Sequence, residues 1–224
     1  MKICRRPVTA LVVLTAAALA FPRRLNAGPE GQQAIQAASD RPVILAVGES
    51  TTAGYGVDRE LSYPGQLQQR LDERGYRYRV VNHGVSGSTT QQALARLDRG
   101  LALKPAIVII ALGGNDSSSR MPIESTRANL GKLISMFKRV GAEVIVANRN
   151  LPGGGQDSGS FVAELATQYH AVLMPPLTSG VAGHPELLIE DGSHPNGEGY
   201  KIIVRRILPI IEPYLKKDSA PIRP

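Results

Sequence analysis

The chain has 224 residues, 42% of them apolar and 20% charged, an ordinary globular mix that excludes wholesale disorder, collagen and coiled coil. Its length suits one or two domains with a sizeable core. The formal charge of +7 invites a nucleic-acid reading, but residues 1–27 hold Lys2, Arg5, Arg6, Arg23 and Arg24 with no acid, leaving residues 28–224 with 21 basic against 19 acidic side chains, a net charge of +2. With seven Tyr, three Phe and no Trp, the chain offers little for nucleic-acid binding or for a platform under long sugar chains.

The N-terminus reads as an export signal. Lys2, Arg5 and Arg6 form a positive head, and Val8 to Phe21 is an uncharged, mostly apolar run too short to span a bilayer as a helix. Ala18-Leu19-Ala20 and Leu25-Asn26-Ala27 both fit small-residue cleavage sites, so residues 1–27 are expected to be a signal peptide cut after Ala20 or Ala27. The protein is therefore expected to be exported, periplasmic or secreted, with a membrane partner only if that segment stays uncleaved. Cys4 is the only cysteine and lies in the positive head, so the mature chain has no disulfide, zinc-thiolate site or cysteine nucleophile. Residues 28–41 read as a flexible lead-in, 42–216 as the folded domain and 217–224 as a loose tail.

Within 42–216, apolar runs alternate with segments of helical period. Val43–Val47, Arg79–Val81, Ile107–Leu112, Glu143–Ala147 and Ala171–Met174 read as strands, four of them nearly continuous in apolar character, as expected of strands buried on both faces. Tyr63–Arg74, Thr90–Asp98, Pro122–Val140 and Gly159–His170 read as helices. A last helix is expected over Gly197–Lys216, kinked by Pro209. Strand and helix in strict alternation predict a three-layer α/β/α sandwich with a five-stranded parallel sheet, because parallel strands need right-handed crossovers. In such sheets functional groups gather on the loops beyond the strand C-termini.

Four of those loops carry chemistry-bearing residues. Gly48-Glu49-Ser50 follows the first strand. It matches no phosphate-loop or dinucleotide spacing, so Ser50 is either an N-cap or a nucleophile presented at the top of the sheet. The last loop reads Asp191-Gly192-Ser193-His194-Pro195-Asn196. A carboxylate three residues before a histidine can accept from one imidazole nitrogen and leave the other to take a proton from a serine; alternatively, Asp191 and Asn196 cap the last helix. After the third strand, Gly113-Gly114-Asn115-Asp116 offers an Asn amide to a developing oxyanion or is a plain turn, and Gly87 in the second loop offers a backbone donor. His83 reads as a loop residue or a support for the site rather than a rival base, His170 and His184 read as structural, and no metal-ligand spacing appears.

Taken together, the four loops resemble the SGNH or GDSL-type serine hydrolase family over roughly Val43 to Leu215, with Ser50, Gly87, Asn115 and His194 in the order of the family's four blocks. The resemblance implies a flavodoxin-like α/β fold, Ser50 as nucleophile, His194 as base and Asp191 as its orienting acid. It implies an oxyanion hole from the Ser50 and Gly87 backbone amides and the Asn115 side chain, with no cofactor and no metal. Val81-Asn82-His83-Gly84-Val85-Ser86-Gly87, then Gln91 to Leu97 and Leu151-Pro152, are most similar to the bacterial periplasmic acyl-CoA thioesterase/lysophospholipase/arylesterase branch. Two stretches depart from the pattern: Glu49 and Thr51 stand where the family has Asp and Leu, and the composition of Ser117 to Met121 is unlike that branch. The expectation is an exported serine ester hydrolase forming an acyl-serine intermediate on aryl esters, thioesters or other small acyl esters of short to medium chain. Leu151, Met121 and Val181 are expected to meet the acyl chain. The alternatives are a carbohydrate O-deacetylase of the same family and a catalytically silent binding domain on the same fold.

Overall fold

The computed structural model describes residues 40–148 and 160–216. The expected signal peptide, most of the lead-in, the loop containing Leu151 and the C-terminal tail lie outside the described residues. In chain order the main elements are β1 (Val43–Gly48), α1 (Ser50–Ala53), α2 (Tyr63–Glu73), β2 (Arg79–Gly84), α3 (Thr90–Ala95), α4 (Leu97–Leu101), β3 (Ile107–Ala111), α5 (Gly114–Ser118), α6 (Ile123–Arg139), β4 (Glu143–Ala147), α7 (Ser160–Gln168), β5 (Val172–Met174) and α8 (Gly197–Ile211).

The five strands form one wholly parallel sheet in the order β2-β1-β3-β4-β5. Every residue of β1 and β3 is buried, and alternate positions feed opposite layers. Ile44, Ala46, Ile107 and Ile109 pack under α2 and α8 with Tyr63, Leu67, Tyr200 and Ile203. Val43, Leu45, Val108 and Ile110 pack under α3, α4, α6 and α7 with Leu97, Leu130, Leu133, Phe137 and Phe161. This explains the unbroken apolar runs: a strand covered on both faces has no solvent side to mark with polar residues. No helix among the described residues is long and apolar enough to cross a membrane.

Three expectations are revised. The helix expected over 90–98 is two segments, α3 and α4, parted at Arg96, whose φ of −111° and ψ of 11° leave the helical region. The turn lets Leu97 and Gly100 face the sheet, with Gly100 against Leu45 and Phe137. The last helix runs through Pro209 but ends at Ile211, followed by a 3-10 turn at Glu212–Tyr214, because Pro213 lacks an amide donor and disfavours helix before it. The first loop is not irregular throughout, since its start is the short helix α1.

Because β2 and β3 flank β1, the chain leaves β1 in one direction and later returns to its other side. The crevice beyond the C-terminal ends of β1 and β3 is the switch point where such sheets hold ligands. Glycines let α1 lie directly on these strand ends. Gly48 and Gly84 are register partners; a Cβ on Gly48 would stand 1.9 Å from the Thr52 hydroxyl, and one on Gly84 2.4 Å from the Ala53 nitrogen. Gly84→Ala is therefore expected to cost about 1–3 kcal/mol, as overpacking does, and to lower activity by lifting α1. An unchanged Tm would show that the backbone yields there.

Candidate active site

Ser50 is the first residue of α1. Glu49, at φ −111° and ψ −145°, holds the N-cap position, so the capping alternative for Ser50 does not hold. The helix is pinned from several sides. Tyr200, fully buried in α8, donates its hydroxyl to the Thr51 carbonyl at 3.0 Å. The Asn82 amide donates to the Ala53 carbonyl at 3.2 Å, and Gly54, at φ +85°, closes the helix through its N–H to the Ser50 carbonyl. The Ser50 hydroxyl thus projects from a fixed turn.

Its partner arrives from the far end of the chain. His194 Nε2 lies 2.7 Å from Ser50 Oγ, and His194 Nδ1 lies 2.6 Å from Asp191 Oδ2. The Ser193 and His194 amides donate to Asp191 Oδ1 at 2.9 and 3.0 Å. Those backbone bonds, His194 first and Ser193 second, with the imidazole third, hold the Asp191 carboxyl down to about 2. A group lowered in the folded state stabilises above its unfolded pKa and loses that effect only as pH falls through the folded value. Asp191 is thus a carboxylate, able only to accept, throughout neutral and mildly acidic pH. It fixes the Nδ1–H tautomer, and Nε2 can accept the Ser50 proton. The capping alternative for this loop divides: Asn196 caps α8, accepting from Glu198 and Gly199 at 3.0 Å each, whereas Asp191 serves His194.

The other two blocks face the same crevice. Gly87 has φ +75°, and the Gly87 and Ser50 amides have no hydrogen-bond partner among the described residues. Asn115 in α5 is tied to Glu49: the Glu49 carboxylate accepts the Gly114 amide at 3.2 Å, the Asn115 amide at 3.1 Å and the Asn115 side-chain Nδ2. Nδ2 also donates to the Ser88 carbonyl at 3.1 Å, so both side-chain amide hydrogens of Asn115 are engaged. Glu49 therefore does more than hold the N-cap position, since it orients Asn115. Asp116 is fully buried and supports neither Asn115 nor Ser50; it accepts from the Thr90 amide at 2.9 Å and from the Thr90 and Thr126 hydroxyls, joining α3 to α6.

Glu49 and Thr51, the chain neighbours of Ser50, border a cavity of about 390 Å³ walled also by Ala111, Ala147, Pro176 and Thr178; Ser50, Gly87, Asn115 and His194 are not in its wall. Of the three residues expected to meet an acyl chain, Val181 does not, because its side chain is wholly buried in the core against α8. Leu151 lies outside the described residues, and Met121 is not part of this cavity wall. A loop position says nothing about which way its side chain turns, whereas the role of Pro176 and Thr178 needs β5 beside β4. Sequence reasoning also missed Tyr55, whose ring stands 4.8 Å from the His194 ring at 48°. The glycines on both sides of Tyr55 were the available signal. His83 is on β2, not on a loop, and burial first, then the nearby Arg96 and Arg99 charges, lower its pKa.

Residues 46–202 match the model of the GDSL-like Lipase/Acylhydrolase family. An arylesterase of Vibrio mimicus is 36% identical over 161 residues, covering 69% of this chain and 80% of the relative. The thioesterase 1/protease 1/lysophospholipase L1 of Escherichia coli strain K12 is 30% identical over 182 residues, covering 79% of this chain and 86% of the relative. A crystal structure of TesA superposes with a TM-score of 0.72 at 34% identity, covering 77% of this chain and 99% of that chain.

Proposed function

Since this chain belongs to the GDSL-like lipase/acylhydrolase family and is an ester hydrolase, we propose that it cleaves small acyl esters, aryl esters among them, through an acyl-serine intermediate on Ser50. The unbroken hydrogen-bond path Asp191–His194–Ser50 carries this reading. His194 Nε2 takes the hydroxyl proton while Ser50 Oγ attacks the ester carbonyl. The resulting oxyanion is received by the Ser50 and Gly87 amides and by Asn115, which must share or surrender one of its two engaged hydrogens. His194 then protonates the departing oxygen. Water, activated by the same imidazole, releases the acid and restores the serine.

The cavity that Glu49 and Thr51 border, at about 390 Å³, is near the small end of the usual range for ligand sites, and an acyl chain seated there would be short to medium in length. Thioesters share the acyl chemistry and belong to the same proposal. A panel of p-nitrophenyl esters, an acyl-CoA, a lysophospholipid and acetylated sugars tests it. The rate is expected to peak at short to medium acyl length, with each methylene worth about 0.8 kcal/mol at most until the cavity is filled. Acetylated sugars cleaved much faster than every simple ester would move the assignment to carbohydrate deacetylation.

His83, half-buried on the edge strand and with no carboxylate partner among the described residues, lacks the orienting acid a base needs. His83→Ala is expected to leave kcat close to that of the unaltered enzyme. A loss as large as that of His194→Ala would mean the base is misassigned. Export is proposed on Lys2, Arg5, Arg6 and the apolar run that follows them; N-terminal sequencing of the protein recovered from outside the cytoplasm tests it.

A further inference from the structure

Resting on the esterase reading above, the geometry points to Tyr55 as the residue that recognises the leaving group, stacking on aryl alcohols as they depart. The leaving oxygen must come within hydrogen-bond reach of His194 Nε2, which protonates it. The remainder of the leaving group then extends over the surface bordering the imidazole. Part of that border is the Tyr55 ring, 4.8 Å from the His194 ring and tilted by 48°.

Tyr55 is not there for the core, since half of it, 51%, faces solvent. It is nevertheless held firmly. Gly54 and Gly56 on either side have φ +85° and +77°, and the Tyr55 amide donates to the Ser50 carbonyl at 3.1 Å. Gly56 is packed against the histidine loop so closely that a Cβ there would stand 2.3 Å from Ile189 Cδ1. The backbone that carries the ring is thus tied both to the nucleophile helix and to the loop carrying the base. A planar ring at that place, half of the residue in solvent, selects planar leaving groups by offset stacking, an effect of about two- to tenfold per aromatic pair. An alkyl alcohol gains less from the same surface.

The test compares kcat/KM for phenyl acetate with that for trifluoroethyl acetate, an activated alkyl ester, in the unaltered enzyme, Tyr55→Phe and Tyr55→Leu. Both substrates form the same acetyl-serine, so differences between enzymes in the aryl-to-alkyl ratio report the leaving group alone. Tyr55→Leu is expected to lower the ratio by about two- to tenfold, and Tyr55→Phe to keep it. A ratio unchanged in Tyr55→Leu, even if both absolute rates fall, overturns the inference and makes Tyr55 only a support for His194. A ratio lost in Tyr55→Phe also overturns it, by assigning the effect to the hydroxyl. If the unaltered, folded enzyme cleaves neither ester, the esterase reading itself has failed, which is a different outcome from an active enzyme with an indifferent Tyr55.

Discussion

Ser50→Ala and His194→Ala are each expected to lower kcat by at least about 10³-fold with little change in KM, and the double variant to be scarcely worse than either single one. The reason is in the geometry: Nε2 stands 2.7 Å from Oγ and has no other hydrogen-bond partner among the described residues, so each group is idle without the other. Without the base the hydroxyl stays protonated, and without the hydroxyl the base has nothing to deprotonate. Neither change removes core packing. Asp191→Asn is expected to fall in the same range, because an amide can present a donor where the Ser193 and His194 amides and the Nδ1–H all need an acceptor. The check is steady-state kinetics on a p-nitrophenyl ester beside thermal unfolding of each variant. Losses that add as free energies would separate the residues into independent roles and break the proposed relay.

The second large effect is at the other side of the serine. Asn115→Ala is expected to lower kcat by roughly 10²- to 10³-fold, the usual cost of one oxyanion donor. Glu49→Ala leaves Asn115 in place but removes the carboxylate that accepts its side-chain amide and two backbone amides, and a shift of about 1 Å at a reacting centre can cost on the order of 10²-fold. Because Glu49 holds the Asn115 side chain proposed to receive the oxyanion, the double variant should be about as slow as Asn115→Ala alone. A fully additive pair would mean that Glu49 serves some other group. A loss under about threefold in Asn115→Ala, against the size expected of an oxyanion donor, would remove that residue from the mechanism.

Much of the fold is legible in the sequence because each strand covered on both faces announces itself as a short β-branched run, and because Gly or Pro punctuates the ends. The four blocks of the site are legible because they fall where a parallel sheet puts its loops. The link between Glu49 and Asn115 is not: it joins residues 66 apart and depends on β1 lying beside β3, which the order of elements alone does not specify. The break at Arg96 is equally hidden, since its guanidinium reaches the Ser88 hydroxyl at 2.7 Å and the Gly48 carbonyl at 3.4 Å, partners that the tertiary fold brings together. Val181 was misread for the opposite reason. It stands among Ser, Gly and His, a surface-like setting, yet its side chain turns under α8 into the core.

The measurement that bears most directly on the proposed mechanism is intact-mass and peptide mass spectrometry after treatment with a fluorophosphonate ester. The account predicts a single adduct on the peptide carrying Ser50, formed in step with loss of esterase activity and absent from Ser50→Ala. An adduct on any other residue as activity is lost, or full inactivation with Ser50 unmodified, would contradict it.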